Sequence, residues 1–392
     1  MRRAVFLLSF CCYSLAKNCD ERSVTAYYKK PIYEFSTGLL DRVSQETDGH
    51  FVCSPINSWM QLVNLAQGAH GATLKQIWKV TGHGKPCMQR TLRKTLNSFY
   101  GNVKNYKSQS LVIVDKYLAV KKNFKRRVER SKTVKVVSLD RDTAYESADQ
   151  ASEIIKRATG IRNSIDPFEF MLTSLMLADV ATFKAAWRQP FDPGFTAREP
   201  FYFYHGSRKA GEVNMMSSIG YFNYINLTAI NAEVLELPCI DERRSMLIFL
   251  PTNGTIKDLF FHMKRIRIPT IFNLFKKSKN KLVVLRLPRF KISSEIVNLP
   301  ELISDMGVSY IFKSNGNLKG ISDFPIRVNR MKQVVEIEVT EEGVAAEIVQ
   351  NLIDPEVEPI KFAADRPFAF MLVDKPTEIV LFAGVYSIPS VF

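Results

Sequence analysis

Residues 334–349 read Val-Val-Glu-Ile-Glu-Val-Thr-Glu-Glu-Gly-Val-Ala-Ala-Glu-Ile-Val. Val335, Ile337 and Val339 alternate with Glu336, Glu338 and Thr340, the period of two expected of a strand with one buried face. Glu341-Glu342-Gly343 interrupts the alternation. Glycine takes backbone angles closed to residues that carry a side chain, so a hinge is expected at Gly343. Beyond it the chain turns small and β-prone again, with no core pattern until Phe362. The order is therefore a strand, a hinge, and a segment with the composition to become a further strand.

The chain around this stretch has 392 residues, of which 46% are hydrophobic and 24% charged. That composition buries a large core and is not that of a disordered chain. The formal net charge of +15 predicts attraction to polyanions. At the N-terminus, Arg2-Arg3, the apolar run from Ala4 to Tyr13 and Ser14-Leu15-Ala16 follow the plan of a secretory signal. Residues 1–16 are accordingly assigned to a signal peptide and 17–392 to one extracellular domain. No later apolar run is long enough to cross a bilayer, so no membrane association is expected. Cys11 and Cys12 leave with the signal, while Cys19, Cys53, Cys87 and Cys239 stay, widely scattered. One incidental bridge can form among them, and Cys53 and Cys239, in apolar segments, read as buried thiols. Asn226-Leu227-Thr228 and Asn253-Gly254-Thr255 are acceptors for N-glycosylation in a secreted chain.

No repeat, low-complexity tract or linker divides the sequence. Residues 26–101 look mainly helical, with Leu39, Leu40 and Val43 on one helix face and Ile56, Met60, Val63 and Leu65 on another. The second helix begins at Pro55, where a proline suits the first turn. Gln67 to Gly71 ends it, and Thr73 is expected to cap the next. Ser110–Val120 and Leu172–Ala181 read as buried strands, with a helix over Ala144–Ala158 between them. Short strands fill 201–251, and 282–292, 334–339, 368–373 and 379–385 add more. Helices first and strands later predict an α+β domain with at least two sheets.

Several segments then resemble the serpins. They include Phe51-Val52-Cys53-Ser54-Pro55, Gly68-Ala69-His70-Gly71-Ala72-Thr73, Phe183-Lys184-Ala185-Ala186-Trp187, Phe191-Asp192-Pro193, Val213-Asn214-Met215-Met216, Leu287-Pro288-Arg289-Phe290, Arg366-Pro367-Phe368 and Leu381-Phe382-Ala383-Gly384. Each is weak alone; their joint order and spacing, over nearly all of the mature chain, are specific. The resemblance implies an α+β fold of three sheets and about nine helices, with an exposed reactive-centre loop at about 341–361. It also implies a suicide-substrate mechanism: a target protease cleaves the loop, the loop enters the main sheet, and the covalently bound protease is distorted. The hinge would then be Glu341, Glu342, Gly343, Val344, Ala345 and Ala346. A short loop is also seen in moth silk-gland serpins, which this chain resembles in outline. The alternative within the family is a binding or carrier protein whose loop never inserts.

The loop residues can be weighed against insertion. As a strand, Val344, Ala346 and Ile348 would share one face, and Ala345, Glu347 and Val349 the other. No proline interrupts 344–354, so every amide there can join a ladder. Yet inhibitory relatives usually follow the hinge glycine with Thr or Ser and then small residues, whereas here stand Val344, Glu347 and Ile348. Counting from Gly343 places the scissile bond at Val357-Glu358; counting back from Phe362 places it near Ile353-Asp354. The window is Ile353, Asp354, Pro355, Glu356, Val357 and Glu358. Residues 344–360 contain no Lys or Arg, which disfavours a trypsin-like target, whose pocket carboxylate requires a cation. Papain-like cysteine proteases and elastase- or chymotrypsin-like serine proteases are the expected classes. Where relatives carry Asn and His near the top of the main sheet, Asp179 and Gln333 stand. That pair can hydrogen-bond but lacks the titrating imidazole.

Arg90, Arg93 and Lys94 form one basic cluster, Lys121, Lys122, Lys125, Arg126, Arg127 and Arg130 a second, and Lys264 to Lys281 a third. A heparin-like polyanion is the candidate partner of the first two, because some serpins bind heparin through a basic helix. A solvated surface is the bland alternative. No nucleic-acid motif accompanies the basic residues. His50, His70, His83, His205 and His262 lack metal spacing, and no nucleophile elbow or phosphate loop is present. No metal, cofactor or catalytic residue is expected, and the chain reads as a monomer and not an enzyme.

Overall fold

A computed structural model describes residues 19–47, 49–101, 105–171, 173–204, 208–343 and 357–392. The proposed signal peptide lies outside them. Among the described residues there are ten α-helices and three β-sheets. The strands are β1 (Phe51–Cys53), β2 (Tyr106–Asp115), β3 (Val134–Leu139), β4 (Leu175–Lys184), β5 (Ala197–Tyr202), β6 (Lys209–Phe222), β7 (Tyr224–Leu227) and β8 (Ala232–Pro238). They continue as β9 (Arg244–Pro251), β10 (Lys281–Pro288), β11 (Phe290–Ile296), β12 (Arg330–Val339), β13 (Ile360–Ala363), β14 (Phe368–Asp374) and β15 (Ile379–Tyr386). The chain forms two compact units, one holding Asn57–Val180 and Val297–Gln333 and the other Ser36–Ile56, Ala181–Ile296 and Val334–Phe392.

In the first unit, β2 and β3 pair in parallel from Ser110↔Val134 to Asp115↔Leu139. They belong to a five-stranded sheet of order β11-β12-β4-β2-β3. β4 is a near-continuous apolar run, buried through Ala181, as expected of a strand covered on both faces. The helix Ala144–Thr159 buries Ala148, Ala151 and Ile155 at helical spacing and stops at Gly160, whose φ of 89° closes the last turn with an amide bond to Lys156 O at 2.8 Å. A disulfide joins Cys19 to Cys87. It ties the chain ahead of helix Glu21–Glu46 to the first turn of helix Pro86–Gly101.

The second unit contains the six-stranded sheet β1-β15-β14-β9-β8-β7 and the four-stranded sheet β13-β10-β6-β5. Neighbours in the first are all antiparallel. In the second, β13 runs parallel to β10. β14 and β15 are buried throughout. Phe290, Phe368, Phe370 and Tyr386 form a ring cluster with centroids 5.0–6.0 Å apart. Each such side chain, once fully buried, stabilises the unit by about 1.5–3 kcal/mol. Cys53 and Cys239 are buried free thiols, as their apolar surroundings in the sequence indicated.

Three local expectations change. Thr73 does not cap its helix, which begins at Gly71; its hydroxyl instead accepts the Asn317 amide at 2.9 Å. The run 282–292 is two strands, parted at Arg289, whose amide turns to Asn214 O at 2.7 Å. Two basic runs contain helices, Lys122–Val128 and Ile268–Ser278, whose apolar residues Phe124, Val128, Ile271 and Phe275 are buried beneath the cations.

Candidate functional site

Residues 334–339 form the C-terminal part of β12 (Arg330–Val339). Val335, Ile337 and Val339 are fully buried. The alternating glutamates reach neighbouring strands: Glu336 meets Lys291 of β11 at 2.9 Å, and Glu338 meets Lys184 of β4 at 3.1 Å. β12 lies directly beside β4. The Asn329 amide bonds Leu175 O, and the Ala185 amide bonds Glu338 O, at 2.9 and 2.8 Å. Both chains advance in the same direction between those bonds, so the pair is parallel.

Past the strand ends the two chains stay joined. The Trp187 amide donates to Glu342 O at 2.9 Å and the Phe191 amide to Glu341 O at 3.2 Å. The Trp187 indole N–H donates to Thr340 O at 2.8 Å. Thr196 donates to the Glu341 carboxylate at 2.8 Å, and Arg289 lies 3.5 Å from it. Lys184 Nζ is 2.5 Å from Glu342 and also holds Glu338. The bond to Glu342, then that to Glu338, raises the lysine's pKa. Trp187 and Gly343 form a parallel bridge. A Cβ on Gly343 would meet Trp187 O at 2.3 Å and Pro190 Cβ at 2.9 Å. Gly343 is not among the positive-φ residues. Its glycine is therefore required by close backbone approach.

Glu341, Glu342 and Gly343 are thus placed, whereas Val344, Ala345 and Ala346 lie outside the described residues. So do Ile353, Asp354, Pro355 and Glu356. Val357 is 42% exposed and Glu358 is exposed, just ahead of β13. The sequence had flagged Lys184 and Trp187 only as parts of a familiar segment, and Thr196 and Arg289 carried no signal of a hinge role.

In the first unit, Asp179 is 1% exposed on β4. Ser110 of β2 donates to its Oδ1, and Gln61 donates to the neighbouring Ala178 O at 3.3 Å. Asp179 Oδ2 and Gln61 Oε1 have no hydrogen-bond partner among the described residues. Burial pushes the Asp179 carboxyl up to about 8, partly offset by the hydrogen bond from Ser110. Gln333 donates to Ser58 at 3.1 Å. The place lacks an imidazole, as the sequence indicated, yet it holds a titrating group in Asp179 itself.

Arg90, Arg93, Lys94, Asn97 and Arg130 line one cavity of about 530 Å³. The structure thus brings Arg130 of the second basic cluster to the first. Arg93 is only 8% exposed, and its Nε has no hydrogen-bond partner among the described residues. Burial first, and then the neighbouring Arg130 and Arg127, lower its pKa. Of the other cations in the second cluster, Lys121 pairs with Asp323 at 2.6 Å, Lys125 with Glu129 at 3.9 Å, and Arg127 donates to Gln67 O at 2.8 Å. Lys122 and Arg126 do not line the cavity. Both sequon asparagines are exposed, Asn226 on edge strand β7 and Asn253 on the bend after β9. Among the described residues no group of acidic, histidine or cysteine side chains could hold a metal ion, and no helix is long and apolar enough to cross a membrane.

A family model described as "Serpin (serine protease inhibitor)" matches residues 31–389. Serpin I2 of Homo sapiens is 26% identical over 378 residues, covering 91% of this chain and 90% of that protein. The structure of native protease nexin-1 with heparin aligns at a TM-score of 0.80 and 25% identity, over 92% of this chain and 99% of that one. Serine protease inhibitor (Serpin)-12 of Manduca sexta aligns at a TM-score of 0.80 and 21% identity, over 92% and 98% of the two chains, a likeness of fold.

Proposed function

The chain belongs to the serpin family, and we propose that it is a secreted protease inhibitor that acts as a suicide substrate. The observation that carries the reading is the parallel neighbour pair β4 and β12, with the chain leaving it at Gly343. The target's nucleophile attacks the scissile carbonyl, the new amino terminus departs, and an acyl-enzyme remains. The freed segment reverses at the hinge and enters between β4 and β12, antiparallel to both.

Lengths and energies are compatible with that step. β4 and β12 are each ten residues long. A cut after Ile353 frees ten residues beyond Gly343, and one after Val357 frees fourteen, so either end of the window supplies a full strand. One parallel ladder is replaced by two antiparallel ones, which are slightly stronger per residue. About ten additional hydrogen bonds at about 0.5–1.5 kcal/mol each make roughly 5–15 kcal/mol available. The opposing cost is the parting of β4 from β12, including the Trp187–Gly343 bridge and the Lys184 contacts.

Residues 344–360 lack Lys and Arg, which directs the search to papain-like cysteine proteases and to elastase- or chymotrypsin-like enzymes. The Cys19–Cys87 disulfide supports passage through an oxidising compartment. The Arg93 cavity supports binding of a heparin-like polyanion, whose sulfates would neutralise like charges held together there. The second reading, a loop that never inserts, rests on Val344 and Ile348, bulky where small residues ease entry.

The test is incubation with representatives of each protease class, followed by denaturing electrophoresis. A detergent-resistant complex is expected with at least one; cleavage to completion by all of them without a complex overturns the inhibitor reading. Cleaved protein should melt at least about 5 °C above intact protein, and an unchanged midpoint favours the non-inserting alternative.

A further inference from the structure

A surface cavity of about 740 Å³ opens in the second unit. Phe203 and Tyr204, just beyond β5, line one part of it, and Asn253, Lys257 and Arg366 line others. Phe203 is 50% exposed and Tyr204 69% exposed. Two adjacent aromatic side chains facing solvent leave apolar surface uncovered. The Arg208 guanidinium sits 5.2 Å from the Phe203 ring centroid. Arg366 is held by bonds to Pro251 O at 3.3 Å and Ala363 O at 3.4 Å.

Asn253 belongs to a sequon and to the wall of this cavity at once. Its turn is firmly built. Gly254 has a φ of +81°, and Thr255 caps the helix Ile256–Met263 through reciprocal bonds with Asp258. Asn226, the other exposed acceptor, is not among the residues that line the cavity.

We infer that Asn253 carries an N-linked glycan whose first N-acetylglucosamine units fold back into this cavity. The apolar C–H face of a sugar ring would cover Phe203 and Tyr204. Its hydroxyl and acetamido oxygens would accept from Lys257 and Arg366. Attachment uses a lipid-linked diphosphate oligosaccharide: the bond from sugar C1 to the phosphate oxygen breaks, a bond from C1 to Asn253 Nδ2 forms, that nitrogen loses a proton, and the lipid diphosphate leaves. The inference rests on the reading that the chain is secreted.

The full chain is expressed in a eukaryotic secretory host as wild type, Asn226→Gln, Asn253→Gln and a Phe203→Ser/Tyr204→Ser double variant. Secreted Asn253→Gln should lack one glycan's mass relative to wild type, seen by intact mass before and after enzymatic deglycosylation. A secreted Asn253→Gln whose mass differs from wild type only by the added methylene overturns the site while leaving secretion intact. Chain retained in the cell and unglycosylated overturns the secretory reading, and this inference with it. Docking is read from melting at one fixed scan rate in the Asn226→Gln background. Deglycosylation should lower the midpoint by about 1–2 °C when Phe203 and Tyr204 are present. It should leave the midpoint unchanged when they are serine. An equal shift in both backgrounds overturns the docking.

Discussion

Replacing Asp179 with asparagine should remove a pH dependence of stability that the buried carboxyl creates. In the unfolded chain this carboxyl ionises near 4; in the folded protein burial raises it to about 8. Between those values the folded state holds a proton that the unfolded state has released. Stability therefore falls as pH rises through that window and levels off above it. One proton corresponds to about 1.4 kcal/mol per pH unit, so the carboxyl costs the wild type about 2–3 kcal/mol between pH 6 and pH 8. Asparagine keeps the oxygen that accepts from Ser110, and its amide can donate toward Gln61 Oε1, an atom without a partner among the described residues. Melting both proteins at one scan rate from pH 5 to pH 9 checks this. The variant should gain on the wild type steadily with pH, by about 3–5 °C from pH 6 to pH 8. Parallel profiles across that range would refute the assignment of a protonated Asp179.

Three other outcomes follow from the geometry. Gly343→Val places atoms 2.3 Å from Trp187 O; it should cost about 1–3 kcal/mol and shift the balance between complex and cleaved product, read by melting and by electrophoresis after protease treatment. Arg93→Gln removes a cation crowded by Arg130 and Arg127; heparin affinity in titrations should fall about tenfold, a change of 1.4 kcal/mol, with no loss of stability in the ligand-free protein. Cys87→Ser opens a bridge spanning 68 residues; the thermal midpoint should fall as expected for a loss of about 2–4 kcal/mol, and an unchanged midpoint would show that the tether adds nothing.

How far the residues spoke for themselves depended on whether their signal was local. The alternation of Val335, Ile337 and Val339 with glutamates reports a pleated strand wherever it sits, and the buried helix face of Ala148, Ala151 and Ile155 is as direct. Such periods arise from backbone geometry and need no partner to be read. The helix Lys122–Val128 was missed because its two buried anchors, Phe124 and Val128, are one turn apart among four cations. A single pair is too short a pattern to separate a helix from a charged loop.

The sequence alone determined the family resemblance, the strand ending in a hinge, the absence of Lys and Arg from 344–360 and the presence of two acceptor asparagines. Only the tertiary structure decided that Gly343 is glycine because Trp187 O is 2.3 Å from where a side chain would begin. Only it joined Arg130 to Arg93, Cys19 to Cys87, and Asn253 to the rings of Phe203 and Tyr204. Periodicity depends on neighbours along the chain, whereas close approach, burial of charge and shared cavities depend on residues brought together by packing from separate segments.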